Sequence, residues 1–200
     1  MGHAALQLPM SAADFLVWDA SQTTRHEFLR GEVFAMAGAG ERHVTVALDV
    51  AMALHQHLAG TACRAFITDM KLQVEAADAY FYPDVMVTCS ARDAADSLVK
   101  REPVLLVEVL SQSTAGFDRG DKFAAYRSLP TLPEVLLVNP DTCRCDLFRR
   151  QLQAGDAWML HPGSQGDGVQ LDSVELALTA ETLWAEVPQL PATSSSMAAS

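Results

Sequence analysis

Asp84, Glu108 and Lys122 are the residues of this chain whose types and settings point to chemistry. Glu108 is the one acid in the apolar run V-L-L-V-E-V-L over 104–110, and Asp84 follows Pro83 where Y-F-Y-P-D-V-M-V turns apolar. Lys122 sits in D-R-G-D-K-F-A-A-Y, with Asp118, Lys122 and Tyr126 spaced i, i+4, i+8. A carboxylate in a strand buried on both faces is costly unless it is paired or holds a cation. Two carboxylates from adjacent strands can converge on Mg²⁺, which accepts oxygen ligands and keeps several waters, and the Val109 carbonyl is a further donor. Such a metal polarises a phosphoryl oxygen and lowers the pKa of a bound water, while a neighbouring lysine steadies that water or the charge growing on the phosphate. The same residue types also occur as solvated carboxylates and as surface D-x-x-x-K ion pairs. The buried run around Glu108 is what favours the metal.

The elements that must position these residues are legible in outline. Residues 104–110 read as a central strand, and 80–89 read as another, with Pro83 at its start, at an edge or at a bulge. Ser111-Gln112-Ser113-Thr114 is a polar loop leading to the helix that carries Lys122, which Pro130 stops. Upstream, Ser11 caps a short helix, 26–36 reads as a hairpin turning at Arg30-Gly31, and Glu27 and Glu32 are expected at its surface. Val44, Ala47, Leu48, Ala51, Met52, Leu54 and Leu58 recur at helical spacing, so 41–58 is the longest helix, closed by Gly60. Strands follow over 63–74, with a turn at Thr68-Asp69, and again over 134–139, 144–149, 158–160 and 169–171, before a last helix at 178–184 capped by Thr179. Strands alternating with helices from 41 to 139 make the class α/β.

Two hundred residues, half of them hydrophobic, allow one domain with a sizeable core. The expected organisation is a flexible 1–10, a single domain over 11–187, and a disordered tail over 188–200 that lacks core-forming residues. A net charge of −11 excludes a protein that coats nucleic acid by bulk electrostatics. The four cysteines form no C-x-x-C pair, and Cys143 and Cys145 have no partner pair at zinc-ligand spacing. They read as reduced thiols, which with the absence of a signal-like N-terminus or spanning segment points to a cytoplasmic protein not bound to a membrane.

Four blocks, Y-P-D-V-M-V, L-L-V-E-V-L-S-Q-S-T, D-R-G-D-K-F-A-A-Y-R and L-P-E-V-L-L-V, resemble the Uma2 family of inferred endonucleases, formerly a domain of unknown function. That family belongs to the PD-(D/E)XK restriction-endonuclease-like superfamily. H-E-F-L-R-G-E-V-F-A-M-A-G and F-I-T-D-M-K-L resemble it too, so the likeness spans about 11–187. The resemblance implies a restriction-endonuclease-like fold: a central mixed β-sheet flanked by helices, with an N-terminal hairpin and C-terminal strands added. It implies a Mg²⁺-dependent endonuclease, with Mn²⁺ as a substitute metal, that hydrolyses phosphodiester bonds of DNA. Asp84 and Glu108 match the metal-binding acids. The superfamily places a lysine two residues after the second acid, where this chain has Leu110, so Lys122 resembles a migrated lysine, with Lys71 as an alternative. Glu32 resembles a further acid of the site, whereas His43 and Asp69 read as a core-edge histidine and a turn residue. Ser111, Ser113, Thr114 and Arg119 border the site as phosphate contacts or, equally, as a plain capping loop. Cutting both strands of a duplex would call for a symmetric homodimer. A nuclease-fold binding or regulatory module without catalysis is the alternative.

Overall fold

The computed structural model describes residues 5–6, 10–36, 38–151, 153 and 155–187; the tail expected over 188–200 lies outside them. Ala5–Leu6 is a short strand (β1), and the helix capped by Ser11 is α1 (Ala12–Asp19), where the Ser11 hydroxyl accepts the Asp14 N–H. β2 (His26–Leu29) and β3 (Glu32–Ala35) form the hairpin, turning through Arg30 and Gly31 at φ 51° and 89°. Positive φ at both central residues is what a tight two-residue hairpin turn requires, and Gly31 adopts it without strain. α2 (Glu41–His57) is followed by β4 (Arg64–Ile67), β5 (Lys71–Val74), β6 (Ala79–Phe81) and β7 (Val85–Thr88). Then come α3 (Ala91–Ala95), β8 (Val99–Lys100) and β9 (Pro103–Val109). A helical run combines α4 (Ala115–Phe117), a π-helical turn at Asp118–Lys122 and α5 (Phe123–Tyr126). β10 (Glu134–Asn139), β11 (Arg144–Gln151), β12 (Ala157–Pro162), β13 (Val169–Leu171), β14 (Leu176–Leu178) and α6 (Ala180–Trp184) complete the described chain.

The stretch 80–89, expected as one strand, is two. β6 belongs to a sheet ordered β1-β3-β2-β6-β5-β8 and β7 to a second sheet ordered β12-β11-β10-β9-β7-β4. Pro83 lacks an N–H for a ladder, so pairing stops there and the chain passes between the sheets. Asp84 sits at that crossing. β9 lies inside the second sheet, antiparallel to β7 and parallel to β10, which makes that sheet mixed.

Side chains alternate across β9. Leu105, Val107 and Val109 pack with Val46, Val50 and Leu54 of α2, while Leu106 and Leu110 face the other way, toward Phe81, Leu72 and Tyr126 between the two sheets. Glu108 falls on this second face by the same period. Phe15 of α1 closes the far side of the first sheet against Phe28, Val33 and Tyr80. Of the apolar residues at helical spacing, Ala51, Leu54 and Leu58 are buried, but Val44, Leu48 and Met52 are exposed, and Val46 and Val50 are buried with Leu54 in their place. Positions two apart on a helix lie about 200° around it, so the two apolar rows are nearly opposite and only one can meet the sheet.

The reading of all four cysteines as reduced thiols is also corrected. Cys63 and Cys89 form a disulfide, and Cys143 and Cys145 remain free. Arg64 pairs with Thr88, so one further step of the antiparallel register sets Cys63 opposite Cys89. Among the described residues no helix is long and apolar enough to cross a membrane. The bond closes a loop of sequence separation 26. Converting both cysteines to serine is expected to cost about 3 kcal/mol and on the order of 10 °C in Tm. A thiol assay on the denatured, unreduced protein should find only Cys143 and Cys145 reactive. Four reactive thiols would contradict the bond.

Candidate active site

The register of β7 against β9 fixes the first pair. Val85 stands opposite Val107, and one step outward brings Asp84 opposite Glu108. The Val109 N–H donates to Asp84 Oδ2 at 2.8 Å, which holds Asp84 against β9 although it lies before the first residue of β7. Like charges directly opposite each other on a sheet repel, and Glu108 is only 3 % exposed, so little water screens them.

Lys122 answers that repulsion. The chain leaves β9 through the Ser/Thr loop and returns in the helical run, whose π turn spans Asp118 to Lys122. Single π turns inside helices often mark functional sites. Lys122 Nζ lies 3.1 Å from Glu108 Oε1, 2.8 Å from Glu27 Oε1 and 3.7 Å from Asp118 Oδ1. One turn on, the Tyr126 hydroxyl donates to Glu108 Oε1 at 2.5 Å. The position two residues after Glu108 is Leu110, buried in the core between the sheets. The ammonium therefore reaches the acid from a neighbouring helix.

Glu27 corrects the expectation of a surface residue. It is 3 % exposed, pairs with Lys122 and accepts the Tyr82 N–H at 3.1 Å. The signal was present in H-E-F-L: all four residues of β2 are buried, and an acid inside such a strand raises the same question as Glu108. His43, from the first turn of α2, places Nε2 3.0 Å from Asp84 Oδ1, a contact for which its sequence setting gave no role.

The electrostatics follow from burial and from the count of charges. Glu27, Glu108 and Asp118 surround the Lys122 ammonium, while Asp84, opposite Glu108, is bound to His43. Desolvation pushes the Glu108 carboxyl well above the usual range; Lys122 pulls it down, but Asp84, Asp118 and Glu27 add to the rise. Asp118 is raised by burial as well, against the pull of Lys122. Burial alone would lower Lys122, yet Glu108, Glu27 and Asp118 outweigh it and hold the ammonium charged. His43 is likewise opposed by burial and raised on balance by its hydrogen bond and charge contact with Asp84.

These groups form the floor of a cavity of about 470 Å³, with Val44, Ala47 and Leu48 of α2 and Ile67 of β4 on its walls. Ser111 and Thr114 also line it, but their hydroxyls bond each other at 3.0 Å and the Thr114 N–H donates to Ser111 Oγ, as in a capping loop. Ser113 joins that loop through Ser111 at 3.0 Å and is not part of the cavity lining. Arg119 points elsewhere, to Asp146 at 2.9 Å. Lys71 is bound to Asp19 at 3.0 Å, over the rings of Phe15 and Tyr82, and does not line the cavity. Glu32 is exposed beside the hairpin turn, paired with Leu29, away from the acids it was expected to join. Asp69 is a turn residue at φ 87°, paired with Arg25.

Among the described residues no three His, Cys, Asp or Glu side chains converge as a ready-made metal cage. Mg²⁺ does not need one, because one or two carboxylates with water suffice. Asp84 and Glu108 supply two carboxylates from opposed strands, in a cluster whose negative charge exceeds its positive charge. Among the described residues every bond to Glu108 uses Oε1, which leaves Oε2 as a donor. This donor set fits a hard divalent cation.

Residues 12–182 match the family model of Uma2, described as "Putative restriction endonuclease". Two relatives from the cyanobacterium Synechocystis sp. are uncharacterised: slr1290 is 32 % identical over 175 residues, covering 88 % of this chain and 91 % of its own length, and sll1609 is 31 % identical over 165 residues, covering 82 % and 92 %. A crystal structure from Anabaena variabilis, titled a "putative nuclease belonging to DUF820", superposes with a TM-score of 0.73 at 15 % identity, over 88 % of this chain and 98 % of that one. At that identity the likeness shows the fold, and the fold is nuclease-like. From the family match and the two relatives, the chain belongs to the Uma2 family.

Proposed function

We propose that this protein is a divalent-metal-dependent endonuclease that hydrolyses phosphodiester bonds of DNA, with Mg²⁺ as its metal and Mn²⁺ as a substitute. The observation that carries the reading is the opposition of Asp84 and Glu108 across β7 and β9, with Lys122 Nζ 3.1 Å from Glu108 on the floor of an open cavity. Asp84 and Glu108 would hold the cation. Bound there, the metal supplies polarisation of a phosphoryl oxygen and a water of lowered pKa. The chain's own groups do the rest. Tyr126 fixes the Glu108 carboxylate, and His43 and the Val109 N–H fix that of Asp84. Glu27 and Asp118 aim the Lys122 ammonium, a compact charge suited to the phosphate oxygens as one P–O ester bond breaks and the bond to the water oxygen forms. DNA as substrate would place the protein in the cytoplasm, where the reducing environment acts on Cys63–Cys89.

A nuclease-fold binding module without catalysis is favoured by a different observation: Glu27 lies nearer to Lys122 than Glu108 does, so the ammonium is already committed. The two readings part on metal and on turnover. Nicking of supercoiled plasmid in Mg²⁺ is expected from the native chain, and Glu108→Gln, which keeps the shape and removes the charge, should lower the rate by about a thousandfold or more. Equal nicking by both proteins would assign the activity to a contaminant. Lys122→Met is a poorer probe of catalysis. It leaves the carboxylates of Glu27, Glu108 and Asp118 buried without their cation, and is expected to cost about 3–5 kcal/mol of stability in chemical denaturation.

Metal binding has its own signature. Mg²⁺ or Mn²⁺ at ten times Kd should stabilise the fold by about 1.4 kcal/mol, a Tm rise of roughly 3–5 °C that Asp84→Ala abolishes. The pH dependence has a definite sign. Burial raises the Glu108 pKa, so its proton is retained to higher pH and competes with the cation. The metal-induced rise in Tm should therefore grow as pH increases and fade as it decreases. No rise with either metal at any pH would favour the binding module.

A further inference from the structure

The walls of the cavity have a different chemistry from its floor. Val44 and Leu48 of α2 and Ile67 of β4 are 52 %, 55 % and 59 % exposed, large apolar side chains brought together from two elements at the mouth of the acid–lysine cluster. Among the described residues lining the cavity, Lys122 is the sole lysine or arginine, and it is engaged by Glu27 and Glu108. Nearby arginines are neutralised too: Arg25 pairs with Asp69 and Arg119 with Asp146. Duplex DNA is gripped mainly through its phosphates by uncommitted cations, at a strong cost in salt sensitivity. This entrance offers no such row, and the chain carries a net charge of −11. Glu108 is buried at the bottom of the cavity, whose volume of about 470 Å³ lies in the range of roughly 300–1,000 Å³ typical of small-ligand sites. A rigid duplex presents its phosphates on the outside of a stacked rod, whereas an unpaired nucleotide has a free apolar face and can enter a concave site. Enzymes that act on an unstacked base seat it in a pocket between aromatic or apolar side chains.

We propose that the Val44–Leu48–Ile67 wall seats the base of an unpaired nucleotide, making single-stranded or locally unpaired DNA the substrate. The proposal rests on the nuclease reading of the same site and specifies what that site accepts. The wall is continuous with the floor: Val44 adjoins His43, which holds Asp84, and Ile67 precedes Thr68, whose N–H donates to the Asp84 carbonyl at 3.2 Å. A base on the wall thus places its own phosphate over the acids. One molecule suffices for this substrate, without the paired sites that cutting both strands of a duplex would need.

The test uses the full chain with a fluorescein-labelled oligonucleotide in three forms: single-stranded, annealed to its complement, and single-stranded with abasic sites. Leu48→Ser and Ile67→Ser are the variants; both side chains are exposed, and an unchanged Tm verifies folding. In Mg²⁺ the intact single strand should be cut at least about tenfold faster than the duplex or the abasic strand, and each variant should raise KM about five- to tenfold with kcat nearly unchanged. Equal cutting of all three forms, or an unaltered KM in both variants, would overturn the seat while leaving the nuclease reading intact. If nothing is cut, the nuclease reading fails, and fluorescence anisotropy decides the seat by itself. Tighter binding of the single strand than of the duplex, with weak salt dependence and weakening in Leu48→Ser, would uphold it. Equal or absent binding would overturn it. Self-association of the native chain that Leu48→Ser abolishes, with no change in oligonucleotide binding, would give the wall to a second copy and overturn the proposal.

Discussion

Everything at the site depends on one costly arrangement, the ionised or ionisable side chain of Glu108 inside a central strand. Removing a carboxylate from water costs several kcal/mol even after relaxation, and only close partners offset it. Lys122 and Tyr126 are those partners, and both come from one helical run on the same side of the sheet. The ammonium is as deeply buried as the acid, so neither can be changed alone without stranding the other. Glu27 and Asp118 then serve Lys122, and it in turn offsets much of the cost of burying them.

The fold supplies the site by bringing two sheets together at a point where the chain changes from one to the other. β6 and β7 are almost consecutive, but Pro83 ends one ladder before the next begins. Asp84 is left at the seam, with its carbonyl accepting the Thr68 N–H and its carboxylate held by Val109 and His43. Glu27 comes from the first sheet, Glu108 from the second, and Lys122 from the helix between strands β9 and β10. A single sheet could not surround an ammonium with acids in this way, because its side chains on one face diverge toward the layer above.

How much of this was legible depends on whether a residue announces its conflict in its own neighbourhood. Glu108 did, since V-L-L-V-E-V-L leaves an acid no place at the surface, and its helix partners were spaced to share a face. Asp84 was marked by Pro83, although the same proline was not enough to show that 80–89 divides between sheets. Glu27 was hidden because H-E-F-L followed by Arg-Gly-Glu looks like an exposed hairpin; only pairing of β2 with β6 on its other edge buries it. α2 carries apolar residues on opposite sides, so periodicity could name a helix and not its inner face. The Cys63–Cys89 contact is set by cross-strand register 26 residues apart, which spacing along the chain does not encode.

The charge balance of the floor and the apolarity of the walls belong to one design problem. Three carboxylates around one ammonium, with Asp84 opposite Glu108, leave negative charge on the floor of the cavity. Bare phosphate would be repelled from such a floor. On the proposed function, a divalent cation would lower that barrier by offsetting part of the acids' charge and meeting the phosphate oxygens itself. It cannot by itself select what enters, because every phosphate ester presents the same oxygens. On the proposed function, selection would then come from the part of the ligand that is not phosphate, and Val44, Leu48 and Ile67 line the cavity where that part would sit.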